Sequence, residues 1–178
     1  YSSSTKAQLS IRNGNGREVT SISIAAIDFT DSAELKETAD GGITVLGSMN
    51  GDMHFSKFDS NLEPVFRKSI SFETQVLAHA STELADETFM VLGGNFKSKN
   101  TFGGGNHPYR SRIVKLSKDG DFLLETTIEN MVCLSIETES DGGISVSGMA
   151  FITEDLNFNS AIVSLDSNLD IKHGNQIM

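Results

Sequence analysis

Tryptophan is absent from this chain of 178 residues, cysteine occurs once, and proline and tyrosine occur twice each. A single cysteine excludes an intrachain disulfide, so no covalent staple holds the fold. Cys133 lies between Val132 and Leu134 in an apolar run. That setting predicts a buried structural thiol, because reactive cysteines need an exposed, electropositive one. Two prolines leave no room for proline-rich linkers. Basic residues are also short: 14 Lys and Arg against 24 Asp and Glu, a net charge of −10. The cations are scattered, which argues against nucleic acid as a partner, since its binders carry a basic patch. No apolar run approaches the roughly 20 residues of a membrane-spanning helix, so no transmembrane segment is expected.

Several chemical signatures are missing too. His54, His79, His107 and His173 fall in separate segments with no His-x-x-x-His pair, so no zinc site is expected. There is no Gly-x-Ser-x-Gly elbow. Gly103-Gly104-Gly105 lacks the Lys-Ser/Thr that completes a phosphate loop. No catalytic residue, metal or cofactor is assigned, and the chain is read as non-enzymatic.

What the sequence has in quantity is a phrase repeated along its length. Thr38-Ala39-Asp40-Gly41-Gly42-Ile43-Thr44-Val45-Leu46-Gly47 is the first copy and Thr138-Glu139-Ser140-Asp141-Gly142-Gly143-Ile144-Ser145-Val146-Ser147-Gly148 the third. A degraded copy runs from Thr82 to Gly94, with Asp86-Glu87-Thr88 in place of Asp-Gly-Gly. Glycine supplies the positive φ of a tight turn, so each phrase reads as a β-hairpin. A second pattern follows each phrase: Phe55 to Phe66, Ile113 to Leu124, and Ala161 to Ile171. Each alternates apolar residues into a polar turn and out again, which is a second hairpin. The unit is therefore four antiparallel strands, with turns expected at Asp40–Gly42, Asp59–Asn61, Asp119–Gly120, Asp141–Gly142 and Asp166–Asn168. Ile43, Val45, Val91, Ile113, Ile144, Val146, Ile162 and Val163 are the expected buried positions. Asp31-Ser32-Ala33-Glu34 resembles a helical capping box, but its copy in the third unit is strand-like, so strand is expected at both.

Anchor aspartates Asp40, Asp86 and Asp141 lie 46 and 55 residues apart. The difference sits in the loop between the two hairpins, where insertions are tolerated. Leu9 to Val19, with Asn13-Gly14 at its centre, matches a second hairpin whose first half is missing. The chain thus reads as a single domain over 1–178: a tether and half unit at 1–32, then units at 33–73, 74–131 and 132–178. A repeat of this length marks one supersecondary unit copied along the chain.

The paired pattern, Thr-x-Asp-Gly-Gly-Ile-x-Val-x-Gly followed by the second turn, resembles the delta-sixty-like β-propeller repeat of bacterial exported proteins and surface lipoproteins. Thr38, Asp40, Gly41, Gly42, Val45 and Gly47 match it, as do Thr138, Asp141, Gly142, Gly143, Val146 and Gly148. The second copy departs at Asp86-Glu87-Thr88. The resemblance implies an all-β, β-propeller-like fold of about three and a half four-stranded antiparallel blades. That is a short four-bladed propeller, an open arc or a fragment, since about four blades is the usual minimum for closure. It implies export to the cell surface or periplasm as a lipoprotein. Ser2-Ser3-Ser4-Thr5-Lys6 suits a tether, which would follow either a lipid-bearing cysteine upstream of Tyr1 or a plain proteolytic start. It further implies a non-enzymatic binding or scaffold module with a protein partner in the cell envelope, by analogy an accessory of an outer-membrane nutrient-uptake complex. The rival reading is a glycan-binding or glycan-cleaving propeller protein, which a facing pair of carboxylates would favour.

Two turns invite a metal reading. Asp59, Asn61 and Glu63, and Asp166, Asn168 and Asp170, are spaced like the first three ligands of a calcium loop. The sixth position is Pro64 or Ile171 instead of glycine, and the twelfth is Ile70 or Ile177 instead of glutamate. Both are therefore read as turns that Asx side chains shape through their own backbone. One segment exceeds framework needs. Asn95 to Arg112 is the longest insertion, locally basic and aromatic, and holds Phe96, Lys97, Phe102, Asn106, His107, Tyr109, Arg110 and Arg112. Tyr and Arg are favoured interface anchors, so these eight form the candidate binding site. Ala150 to Asn159, with Phe151 and Phe158, is its expected neighbour.

Overall fold

The computed structural model describes residues 7–12, 14–24, 33–49, 51–72, 76–95, 109–151 and 158–177. Among them there is no helix, and all the regular structure is strand. A hairpin of β1 (Ala7–Arg12) and β2 (Glu18–Ile24) comes first. The first four-stranded sheet is β3 (Ala33–Glu37), β4 (Ile43–Met49), β5 (Asp52–Phe58) and β6 (Pro64–Ile70). The second is β7 (Leu77–Glu83), β8 (Phe89–Asn95), β9 (Arg110–Leu116) and β10 (Phe122–Glu129). The third is β11 (Met131–Thr138), β12 (Ile144–Phe151), β13 (Phe158–Leu165) and β14 (Ile171–Ile177). Each is an open antiparallel meander in which every strand pairs with its neighbours in the chain. The strand β3 begins at Ala33, so strand outranks the capping-box signal there.

The expected turns fall between strands, and their backbone shows why the sequences differ. Gly41 and Gly142 adopt φ of 78° and 82°, and Glu87 takes the same left-handed place at 63° in the copy that lost its glycines. In the second hairpins Leu62 (65°), Gly120 (82°) and Leu169 (67°) occupy one equivalent position. A leucine there is strained, but both leucines are almost wholly buried, and burial offsets the strain.

Alternation along each strand creates two faces, and the second sheet is covered on both. Phe89, Val91, Val114 and Leu116 meet Leu46, Phe55 and Phe66 of the first sheet. Phe55, Phe66 and Phe89 form a mutual aromatic trio with centroids 5.5 to 5.9 Å apart. Met90, Leu92 and Ile113 meet Ile136, Ile144, Val146 and Leu165 of the third sheet. Close approach explains two glycines. A Cβ on Gly93 would run into Met53 and Val76, and one on Gly148 into the Val132 carbonyl.

Val45, Val91, Ile113, Ile144 and Val146 are buried as expected. Ile43 and Val163 are half-buried. Ile162 is a correction: it is 40% exposed. It pairs with Ser147, on the face of the third sheet turned away from the second. Its counterpart Ile113 is buried because the third sheet lies over it.

Candidate functional site

Of the eight candidate residues, Phe96, Lys97, Phe102, Asn106 and His107 lie outside the described residues. Tyr109, Arg110 and Arg112 mark the point where that segment enters β9. Tyr109 is half-buried, and its carbonyl accepts the Asn130 N–H at 2.7 Å, tying the segment to the β10–β11 turn. Arg110 Nε donates to Glu129 Oε2 at 2.8 Å, and Arg112 Nη2 to Glu125 Oε1 at 2.5 Å. Both are cross-strand pairs on the β9–β10 ladder. The Arg112 guanidinium also stacks 4.3 Å from the Phe72 ring, on the link between the first and second sheets. The structure thus brings Arg110 and Arg112 together, both ion-paired, with Arg110 the more exposed. The insertion between β12 and β13 leaves from Phe151 and returns at Phe158, which are directly paired in register.

Elsewhere the polar side chains at repeated positions serve the framework. Asp40 accepts from Thr38 Oγ1 (2.6 Å), Gly42 N–H (3.2 Å) and Lys57 Nζ (2.7 Å). The Lys57 hydrogen bond, followed by that of Thr38, lowers its pKa to about 2. Asp86 is likewise below the ordinary carboxylate range. Its burial opposes the shift, but hydrogen bonds from Thr88 and the charge of Lys115 outweigh it. Asp141 is lowered by the Gly143 N–H and by Lys172. Lys57 and Lys115 are buried and reach into the following sheet. The Lys57 ammonium lies 5.4 Å from the Phe89 ring centroid, and Lys115 Nζ donates to the Ser167 carbonyl at 3.2 Å.

The calcium-like turns are closed on themselves. Asp59 Oδ1 accepts the N–H groups of Asn61 and Glu63, and Asp166 Oδ1 those of Asn168 and Asp170. Among the described residues no group of three or more His, Cys, Asp or Glu is arranged to hold a metal. Burial raises the Cys133 thiol to about 11, partly offset by Ser111, so it stays protonated at neutral pH. Burial lowers the pKa of His79.

Sequence reasoning missed the devices that join the sheets. The edge N–H of Ala78, on β7, donates to Ser48 Oγ at 2.6 Å. The equivalent N–H of Cys133, on β11, donates to Ser111 Oγ at 2.8 Å, and that hydroxyl donates to the Met131 carbonyl at 3.0 Å. Glu34 accepts both the N–H and the hydroxyl of Ser81 at 2.6 Å, and Lys36 Nζ donates to the Ser81 carbonyl at 2.5 Å. The serines were hidden because they sit on different strands: Ser48 faces Met53 on β5, whereas Ser111 faces Gly94 on β8. The recurring Lys57 and Lys115, two residues before the second turn, were a legible signal.

No family model matches the chain, and no curated protein matches it either.

Proposed function

We propose that this protein is an exported, lipid-anchored, β-propeller-like binding module that acts through a protein partner in the cell envelope. On this reading its three sheets are consecutive blades, its N-terminal hairpin is half of a fourth, and the chain serves as an accessory lipoprotein of an outer-membrane nutrient-uptake complex. The supporting observation is the division of labour among polar residues. The aspartates and lysines at repeated positions, and Ser48 and Ser111 on different strands, clamp turns and neighbouring sheets. The longest insertion enters β9 at Tyr109, Arg110 and Arg112, and the two arginines there are ion-paired to Glu129 and Glu125. Aromatic and arginine anchors on a rigid scaffold are a common form of protein-binding surface. The resemblance to exported propeller repeats supports the location and the partner class, and the lipoprotein step is analogy.

The test is a binding titration of the intact protein against isolated envelope complexes and against a glycan panel. Replacing Tyr109 and Arg110 together by alanine should weaken binding to a protein partner by more than about 1 kcal/mol. Stability should change by about 0.5 kcal/mol or less, because the Arg110 pair is solvent-exposed. Unchanged partner binding in the double variant would end the proposal for this segment. Tight glycan binding without a protein partner would move the assignment to a glycan-handling module.

A further inference from the structure

Each of the three sheets closes its second hairpin on a turn of five residues, and the β1–β2 hairpin closes on a turn of the same length. The fourth position of each turn has a left-handed backbone. Leu62, Gly120 and Leu169 hold it in the sheets, and Gly16, at a φ of 76°, holds it between β1 and β2. The position before it is Asn61, Asp119 and Asn168 in the sheets and Asn15 in the hairpin.

The four turns differ in the surroundings of this pair. Asn61 and Asn168 precede leucines that are 1% and 3% exposed. The leucine N–H groups donate to the carbonyls of Asp59 at 2.9 Å and Asp166 at 3.0 Å. Asp119 precedes Gly120, whose N–H donates to the Ser117 carbonyl at 2.9 Å. Gly120 is also packed, since a Cβ there would lie 2.7 Å from the Phe66 ring. Asn15 and Gly16 are both exposed, and a Cβ built on Gly16 meets nothing within 4 Å. Of the four turns, only this one joins an amide side chain to a following glycine.

That combination suits the loss of a side-chain amide. The Gly16 peptide nitrogen attacks Cγ of Asn15. The new C–N bond forms as the Cγ–Nδ2 bond breaks, and ammonia leaves with the proton that the peptide nitrogen gives up. One water then opens the succinimide ring at either carbonyl, giving aspartate or isoaspartate. No oxidant, cofactor or second protein takes part. A side chain on the following residue would crowd the ring, and glycine has none. We infer that Asn15-Gly16 is a site of spontaneous succinimide formation, at which the folded protein adds one negative charge to its net −10.

The two products act differently on the hairpin. Aspartate at position 15 reproduces Asp119-Gly120 of the second sheet, a turn the fold already accommodates. Isoaspartate routes the main chain through the side-chain carbon and lengthens the turn. The Gly16 carbonyl accepts from Arg12 Nη1 at 3.2 Å, and Arg12 pairs with Glu18 at 4.0 Å, so the longer turn strains the contacts that close the hairpin.

The test is incubation of the intact protein in mildly alkaline buffer, native and urea-unfolded, followed by tryptic mapping with mass spectrometry. Cleavage after Arg12 and Arg17 isolates residues 13–17, and fragment ions separate Asn15 from Asn13, which lies outside the described residues. Native Asn15 should convert within about three-fold of its rate in the unfolded chain, as expected of an exposed loop tip. Native Asn61 and Asn168 should stay intact. Asp119→Asn places the same dipeptide in the packed turn and should convert about ten-fold more slowly than Asn15 or slower still, because close packing holds Gly120 in place. Asn15→Asp should leave the melting temperature unchanged. Retention of Asn15 in the native protein while the unfolded chain converts would overturn the inference. Conversion of the Asp119→Asn variant as fast as Asn15 would overturn the role given to the open surroundings of Gly16.

Discussion

The second and third sheets share a strand order, hairpin turns and a glycine at the same place on the second strand, yet they differ in how many faces they bury. The second sheet carries Met90, Leu92, Ile113 and Lys115 on the face toward the third, all buried. The third carries Ser145, Ser147, Ile162 and Ser164 at the equivalent positions, and none is buried. Of the three apolar residues, Met90, Leu92 and Ile113, only the last has an apolar counterpart, Ile162. Hydrophobic burial contributes roughly 25 cal/mol per Å² only where a neighbour removes the surface from water. Side-chain identity at these positions therefore reports whether another sheet lies above, not whether the residue belongs to a strand.

The largest test of that contrast is a matched pair of truncations. Ile113→Ala should destabilise by about 2–5 kcal/mol, because it opens a cavity between two sheets. Ile162→Ala, at the same place one sheet later, should cost about 0.5 kcal/mol or less. Urea unfolding of the two variants measures both, and equal losses would break the comparison. Next in size is Gly93→Ala, where a new methyl meets Met53, Val76 and the Leu77 carbonyl. Overpacking of this kind costs about 1–3 kcal/mol, and a neutral result would show that the first and second sheets are less closely apposed than described.

Ser111→Ala should cost about 1–3 kcal/mol, since it strands the buried Cys133 N–H. Ser160→Ala, at the exposed equivalent, should fall within about 0.5 kcal/mol of the parent. The smallest effect is acid sensitivity. Asp40, Asp86 and Asp141 all have lowered pKa values, so each contributes stability that is present above its unfolded value of 3.8 and fades as pH falls below it. For Asp40 the loss continues to about pH 2. Thermal melts between pH 5 and pH 2 should show a progressive fall that is shallower in Asp40→Asn. A parent curve flat over that window would contradict the ion-paired turns.

Much of the fold was legible in the residues. Period-two alternation and Asp-Gly-Gly turns located the hairpins, and even the degraded copy at Asp86-Glu87-Thr88 holds its turn, because Thr88 donates to Asp86 through both hydroxyl and N–H. Which face of a strand would be covered was not legible, since alternation marks two faces without saying what lies beyond either, and Ile162 fell to that ambiguity. The serine clamps escaped because a serine on β4 in one sheet and on β9 in the next does the same task, so no fixed spacing betrays them. At the candidate site, length and composition pointed to the insertion ending at Arg112. The stacking of Arg112 on Phe72 was invisible, because that contact crosses from one unit to the next.

The second and third sheets are each latched to the one before by an edge amide held on a buried serine. Amide hydrogen exchange of the native protein tests this latch most directly. Ala78 and Cys133, although both sit at sheet edges, should exchange among the slowest amides of the chain, and Cys133 should lose that protection in Ser111→Ala. Exchange of both at the rate of an open strand edge in the parent protein would contradict it.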